Sequence, residues 1–270
     1  MFNPCHLNCM RKPINLAWAL SANIGDGLNP WLVEKLTGVF PVYADSLSVD
    51  YEHYIVCGSV ASAARRNSIC WGPGIMWGYE RPDRNAKWLA VRGPLTRSAI
   101  ITAGGDCPDI FGDPAILLPM FIPPSKDKKY KLSIIPHYID QMRFSAGGWV
   151  DICVRDDIHW INVFETPEKI CQEISESERV MSSTLHGCII ADTYGVPWEW
   201  IKLTDRVGGD DSKFMDYFLS MGREKMSFLD FRAHAYGGEV LLDLTKKATF
   251  TDPERMDRSR ARLMSVCPFT

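Results

Sequence analysis

The 270-residue sequence has little net charge, no long apolar run and no obvious export signal. Charged residues make up 23% of the chain and the formal net charge is −3. This balance argues against a nucleic-acid partner and against disorder. No apolar run approaches the roughly 18 residues of a membrane span, and MFNPCHLNCMRKP lacks the apolar centre of a signal peptide. We therefore expect a folded cytoplasmic protein, or one that rests on a membrane surface, with one large core or two small ones.

Metal and redox motifs are also missing. The nine cysteines form no CxxC pair, and the ones in apolar or amphipathic runs are expected to be free buried thiols in a reducing compartment: Cys57, Cys70, Cys153, Cys171 and Cys188. Cys5, His6 and Cys9 could ligate a metal, but no second half-site at zinc spacing follows. The sequence therefore predicts no metal site.

Several common catalytic and nucleotide-binding motifs are absent. The chain has no GxGxxG and no GxxxxGK[ST], which removes the usual support for dinucleotide or P-loop binding. It also has no GxSxG nucleophile elbow and no HExxH. A function must therefore be sought in less familiar patterns.

Short apolar runs repeatedly end in Gly, Ser, Asp or Arg before a helix-like stretch. NLAWAL, YIVC, SICW and WLAV show this in the first half, and the strand candidates KLSII, HWINVF and RVMSS resume the pattern after a segment rich in proline and lysine. The rhythm predicts α/β layers with parallel strands, whose ligands sit at the carboxyl ends of the strands. We predict two small Rossmann-like domains facing a central cleft: an N-terminal domain over 1–120, a linker over 121–131, a C-terminal domain over 132–250 and a helical tail over 251–270.

Local signals set some boundaries within these halves. Asn29 is expected to cap a helix that carries Pro30 in its first turn and ends at Gly38. DICVRD (151–156) is a further strand candidate. Thr166 is expected to cap a helix over TPEKICQEISESE.

The stretch SSTLHGCIIADTYGVP places a histidine at a predicted junction between a strand and a helix. Ser183 or Thr184 is expected to cap this helix and Gly195 to end it, so His186 falls in the first turn. Free N–H groups and the helix dipole favour an anion there, and Gly187 would let a ligand approach the backbone. The alternative is an ordinary histidine at a helix start, and spacing alone leaves both interpretations open.

Other polar residues occupy similar positions. His137 ends the first strand of the second half. Arg92 follows the strand WLAV, where a guanidinium could bind a phosphate or a carboxylate, and Arg97 could assist it. Asp26, in the first strand-to-helix turn, is either a general base or a carboxylate stabilised by the helix dipole. Each has an ordinary structural alternative, but together they predict a cleft between two domains.

Nine motifs occur in order along the chain: NIGDGLNPWL, VCGSV, CWGPGI, VRGPLTR, GDPAILLP, IIPHYID, SSTLHGCIIADTYGVP, GGDDSKFMDYFLSMG and CPF. Together they resemble the polysaccharide pyruvyl transferase family from about Asn23 to Phe269. The resemblance implies transfer of an enolpyruvyl group from phosphoenolpyruvate to a sugar, without a further cofactor. It also implies a two-domain fold similar to GT-B glycosyltransferases, with phosphoenolpyruvate bound between the halves.

The resemblance implies roles for particular residues. His186 is expected to be the general acid or to anchor phosphoenolpyruvate, Arg92 to clamp an anion, and Asp26 to be the base. Many members carry an arginine before Leu-His-Gly where this chain has Thr184, and Arg92, His137 and Lys213 are the candidate substitutes. The residues expected to bind phosphoenolpyruvate are Asn23, Gly25, Arg92, His137, Thr184, Gly187 and Lys213.

The acceptor can be narrowed further by resemblance. Length and motifs are most similar to the branch that adds pyruvate ketals to xanthan-type exopolysaccharide. That implies a 4,6-ketal on the terminal mannose of a lipid-linked oligosaccharide, at the cytoplasmic face of the inner membrane. Arg255 to Arg262 could contact the membrane or form a solvated helix face. Five aromatic residues could stack on sugars or pack in the core: Trp71, Trp77, Tyr79, Trp198 and Trp200.

Two other functional classes remain open. One is a GT-B glycosyltransferase that uses a nucleotide sugar. The other is a non-catalytic module that binds a sugar or an anion.

Overall fold

The computed structural model of the chain describes residues 12–21, 23–144, 155–223, 227–233 and 236–269, without the side chains of 142–144. This part of the chain forms two five-stranded parallel sheets flanked by helices, which confirms the α/β class and two Rossmann-like units. Cys5, His6 and Cys9, and residues 151–154 of the DICVRD strand candidate, lie outside the described residues. The likeness to GT-B enzymes stays a prediction.

The first sheet has the strand order β2-β1-β3-β4-β5, and each neighbouring pair is parallel. Two short 3₁₀ segments, Ala61–Ala63 and Pro114–Met120, accompany it. Its elements are β1 (Asn15–Ala17), α1 (Ile24–Thr37), β2 (Val42–Tyr43), β3 (His53–Ile55), β4 (Ser68–Trp71), β5 (Lys87–Ala90) and α2 (Pro94–Thr102).

Helix α1 begins earlier than the sequence predicts, and the prediction of a start at Asn29 is wrong. Pro30 lies inside the helix and cannot donate the hydrogen bond that Asp26 O would normally accept. The Asn29 amide lies 3.3 Å from Asp26 O and donates to it instead. Asn29 also accepts the Cys57 N–H at 2.8 Å, which ties the helix to the end of β3. The end at Gly38 is confirmed, with φ of 71° and its N–H on Glu34 O.

The second sheet has the order β10-β9-β8-β6-β7 and is also parallel. Thr166 caps the helix Pro167–Ser175 as predicted, accepting the Lys169 N–H at 3.3 Å. Its elements are β6 (Leu132–Ile135), α3 (Tyr138–Phe144), β7 (Ile158–Trp160), α4 (Pro167–Ser175), β8 (Val180–Ser182), α5 (Leu185–Thr193), β9 (Trp198–Lys202), α6 (Ser212–Ser220), β10 (Leu229–Asp230), α7 (Gly238–Leu244) and α8 (Pro253–Met264).

The two halves are joined by more than the connecting segment. One cluster of buried apolar side chains includes residues of both sheets. The α6 residue Asp216 accepts the N–H groups of Leu95 and Thr96 at the start of α2. Helix α8 returns to the first half, where Trp71 Nε1 donates to Leu263 O at 2.9 Å. The sheets fall on either side of 121–131, while the domain boundaries stay a prediction.

Candidate functional site

A cavity of about 380 Å³ lies between the two sheets. Its wall is built from the segments that follow β1, β3, β4, β6, β8 and β9, so it occupies the carboxyl edge of both sheets. This is where parallel α/β sheets bind ligands. Six of the nine predicted site residues line it: Asn23, Asp26, His137, Thr184, His186 and Lys213.

The N-termini of α1 and α5 both reach this cavity. Neither the N-cap residue of α1, Asn23, nor that of α5, Thr184, makes a side-chain capping bond. Asn23 Oδ1 is buried and has no hydrogen-bond partner among the described residues. The first N–H groups of a helix carry partial positive charge. Two such ends at one cavity favour an anionic ligand.

Thr184 occupies the N-cap position of α5, which confirms one of the two predicted alternatives, although its side chain makes no capping bond. The Ser183 hydroxyl donates to Asp140 Oδ2 at 2.6 Å and accepts the His137 N–H at 2.8 Å, so it links β8 to β6 instead of capping the helix. The last helical residue is Thr193, and Gly195, with φ of 66°, forms the turn that ends the helix, as predicted. The prediction that His186 lies in the first turn is confirmed.

His186 pairs with a carboxylate that the sequence analysis did not single out. His186 is 4% exposed, and its Nε2 lies 3.5 Å from Oδ2 of the fully buried Asp113. The other Asp113 oxygen accepts the Ala115 N–H at 3.0 Å. Burial raises the pKa of Asp113, but the charge and contact of His186 and the Ala115 N–H outweigh it, so the net pKa is lowered. An ionised Asp113 can therefore orient the imidazole, as carboxylates do behind catalytic histidines.

The two predicted site glycines do not line the cavity, and both contact protein atoms. A Cβ on Gly25 would lie 2.0 Å from His186 Nδ1, so only glycine leaves room for the ring. A Cβ on Gly187 would lie 2.3 Å from the Ser182 hydroxyl. The close neighbour at Gly187 is therefore strand β8, and its part in binding phosphoenolpyruvate stays a prediction.

The pKa values of Asp26 and His137 are shifted in opposite directions. Burial raises the pKa of Asp26, an effect that the Ser21 hydroxyl and the nearby His186 and Lys213 only partly offset. Burial, together with Lys213, lowers the pKa of His137 to about 4, so its ring is neutral near pH 7. The Ile139 N–H donates to His137 Nδ1 at 3.3 Å, which places the ring proton on Nε2.

Two cations line the cavity. Lys213 donates to Gly208 O at 2.6 Å, and burial together with Arg92 lowers its pKa to about 8. Arg206 follows β9 and is exposed, and its guanidinium has no hydrogen bond or ion pair with the described residues. Arg206 was missed because the loop TDRVGGDD has no strand-to-helix pattern.

Arg92 lies behind the cavity wall. It is fully buried, with Nη1 on the Ser59 hydroxyl at 2.8 Å and Nη2 on Ile75 O at 2.5 Å. Its Nε lies 3.3 Å from Asp216 Oδ2. Since Ser59 lines the cavity, Arg92 supports the wall and joins it to α6. Its role as an anion clamp stays a prediction.

The predicted aromatic set divides into core and surface. Trp71, Trp198 and Trp200 are buried in the core, as the alternative interpretation holds. Trp77 and Tyr79 are stacked with centroids 5.8 Å apart, and Tyr79 is 70% exposed.

The arginines of α8 are mostly engaged. Arg255, Arg260 and Arg262 donate to the backbone carbonyls of Ser220, Ile116 and Asp109, respectively.

None of the helices in the described part of the chain is both long and apolar enough to cross a bilayer. Among the described side chains, no three His, Cys, Asp or Glu residues gather in a way that could hold a metal. The absence of a metal requirement stays a prediction.

Comparison with known proteins identifies the family. The profile described as "Polysaccharide pyruvyl transferase" matches residues 10–202. An uncharacterized protein of Acanthamoeba polyphaga mimivirus is 28% identical over 228 residues, which are 81% of this chain and 78% of that protein. The succinoglycan biosynthesis protein ExoV of Rhizobium meliloti is 29% identical over 209 residues, which are 74% of this chain but only 62% of ExoV.

A solved structure, of a functionally uncharacterized Klebsiella pneumoniae protein, has a TM-score of 0.49 and 13% identity over 82% of this chain and 93% of that one. The family profile matches well over half of the chain. The chain therefore belongs to the polysaccharide pyruvyl transferase family.

Proposed function

We propose that the chain transfers pyruvate from phosphoenolpyruvate to a sugar of an exopolysaccharide repeat unit, forming a 4,6-ketal. Membership of the family makes it a pyruvyltransferase. One observation carries the choice of phosphoenolpyruvate: two helix N-termini without side-chain caps meet at a cavity that also contains His186 and Lys213.

Phosphoenolpyruvate has two anionic groups, and the cavity offers two kinds of partner for them. One anionic group binds the free backbone N–H groups at the N-termini of α1 and α5. The other binds Lys213 and Arg206, which replace the arginine that many family members carry at the position of Thr184. Arg206 suits this role because its guanidinium is exposed to the cavity and free of carboxylate partners among the described residues.

The chemistry requires one proton donor and one proton acceptor. A proton is added to C3 of phosphoenolpyruvate while the first sugar hydroxyl attacks C2 and loses its own proton. The C2–O bond to phosphate then breaks, and the second hydroxyl closes the ring as its proton leaves with the phosphate. One hydroxyl proton is thus balanced by the new methyl C–H bond and the other by the released phosphate.

His186 and Asp26 fit the two proton-transfer roles. His186 is the acid, because it lines the cavity and the ionised Asp113, 3.5 Å from its Nε2, orients its ring. Asp26 is the base, because it lines the same cavity and burial raises its pKa. His137 stays neutral and lines the wall as a hydrogen-bonding group.

For the acceptor, we propose the terminal mannose of a lipid-linked oligosaccharide at the cytoplasmic face of the membrane. A 4,6-diol closes an unstrained six-membered ketal. Three apolar side chains near the carboxyl ends of β1 and β2 are well exposed and support contact with a lipid surface: Leu20 at 73%, Val42 at 52% and Leu47 at 65%. The α8 arginines support it less, since three of them hold backbone carbonyls.

The proposal is tested by phosphate release from phosphoenolpyruvate. Lipid-linked acceptors ending in mannose, glucose or galactose would be offered in parallel and the product ketal mapped by NMR. A preference for galactose, or a ketal at O3 and O4, would reject the mannose assignment alone. Turnover of a nucleotide sugar without phosphoenolpyruvate consumption would favour a glycosyltransferase, and binding without turnover a non-catalytic module.

The metal requirement is tested in the same assay. Because helix N-termini and cationic side chains carry the phosphate charge, activity should survive a chelator. Activity lost to the chelator and restored by a divalent ion would contradict this.

A further inference from the structure

A second cavity of about 200 Å³ lies beside the first. It sits at the carboxyl ends of β1 and β2, and its lining includes Trp18, Tyr43, Asp45 and Ser46. Ala19 and Val60 line both cavities, so the two spaces are neighbours across these small and medium side chains. The proposed reaction uses none of the polar or aromatic groups of this second cavity.

Its lining combines aromatic surface with unused polar groups. Trp18 and Tyr43 meet edge to face, with centroids 4.9 Å apart and planes at 87°. The Trp18 indole N–H, the Tyr43 hydroxyl and the Ser46 hydroxyl have no hydrogen-bond partner among the described residues, although Ser46 is only 6% exposed. Ser46 is buried, Trp18 is half-buried and Tyr43 is 42% exposed, so the three groups are available to a ligand with hydroxyl groups that enters the cavity.

Charge narrows the class of ligand. The lining contains Asp45 and no cation. Hydrogen bonds from the Ser48 hydroxyl and the Leu47 N–H lower the pKa of Asp45, so it is ionised and still has lone pairs for a further hydroxyl. A second phosphate or carboxylate is disfavoured there. A purely apolar chain would leave the buried Ser46 hydroxyl without a partner.

We infer that the second cavity binds a neutral sugar ring of the acceptor, namely the ring linked to the one that receives pyruvate. A pyranose presents C–H groups to an aromatic face and hydroxyls to the polar groups around it, which matches this lining. The inference rests on the proposed function: with phosphoenolpyruvate and the terminal sugar in the first cavity, the next ring reaches the second one past Ala19 and Val60.

The test compares a monosaccharide glycoside with a disaccharide that has the same terminal sugar. Wild type should use the disaccharide with a higher kcat/KM. Trp18→Ala should lower kcat/KM for the disaccharide about 10-fold, through lost stacking and a lost N–H donor, and leave the monosaccharide unchanged. Phe250→Ala, at an aromatic residue that is 40% exposed beside Gly195, is the matched control and should change neither value.

Calorimetric binding of the disaccharide without phosphoenolpyruvate separates this inference from the proposed function. If Trp18→Ala fails to fold, Trp18→Phe keeps an aromatic side chain and tests the contribution of the indole N–H. Weaker binding by the Trp18 variants supports the subsite even if no phosphate is ever released, in which case only the proposed reaction fails. Equal losses with both acceptors, no loss with either, or no disaccharide binding by wild type would overturn the inference.

Discussion

Replacing Asp113 with asparagine isolates the electrostatic support of His186. The variant's amide oxygen can still accept the Ala115 N–H, which Asp113 Oδ1 holds at 3.0 Å, so the local backbone is kept. What is lost is the negative charge 3.5 Å from His186 Nε2. At an effective dielectric of about 20, that separation corresponds to about 5 kcal/mol of Coulomb energy.

Only part of this energy is expressed in the rate. Both groups are buried, and their desolvation cancels much of the attraction. If the net loss equals that of a hydrogen bond to a charged group, about 1.5–3 kcal/mol, kcat falls roughly 10- to 150-fold.

The assay is phosphate release from phosphoenolpyruvate with a saturating acceptor, together with a melting curve to confirm folding. Because Asp113 acts through His186, adding Asp113→Asn to His186→Ala should cost little more than His186→Ala alone. Fully additive losses, or a correctly folded Asp113→Asn enzyme with wild-type kcat, would refute this reasoning.

Three further predictions concern the same cavity. Lys213 has a pKa of about 8 and must be protonated to hold an anion, so the KM for phosphoenolpyruvate should rise up to tenfold per pH unit above pH 8. Lys213→Arg should flatten this rise, since arginine stays charged. The same pH profile in wild type and variant would contradict the role of Lys213. Arg206→Gln should raise that KM about 10- to 100-fold with little change in kcat, measured by steady-state kinetics, and a loss confined to kcat would be contrary evidence. Gly25→Ala should displace the His186 ring and lower kcat at least about tenfold. The control Gly27→Ala should leave kcat nearly unchanged, because its Cβ would meet nothing within 4 Å. Equal effects of the two variants would argue against the contact between Gly25 and the ring.

The strand-to-helix rhythm predicted the architecture because each parallel strand must end in a turn before its helix. The apolar runs around Leu16, Cys70 and Met181 are strands, and Pro94 begins a helix as expected. The start of α1 was misread because Asn29-Pro30 has the composition of a helix start. Only the folded chain shows that the Asn29 side chain supplies the hydrogen bond that the proline cannot make.

The site was predicted in part, because a sequence shows which residues end strands but not which ones face each other. His186, Asp26 and His137 could be named from their positions. The Asp113 carboxylate could not, since it reaches His186 only because the segment Pro114–Met120 packs against α5. Nor does the sequence show that the Arg92 guanidinium lies behind the cavity wall, because its partner Asp216 is distant along the chain.

The central claim is that phosphoenolpyruvate is consumed in the cavity between the sheets with His186 as the essential acid. The direct measurement is acceptor-dependent phosphate release by wild type, His186→Ala and a matched His159→Ala control. His159 lies elsewhere, stacked on Tyr130 and paired with Glu173. We predict a loss of about 10²- to 10⁴-fold for His186→Ala and near wild-type rates for His159→Ala, with both variants folded. A folded His186→Ala enzyme that releases phosphate at the wild-type rate would contradict the account.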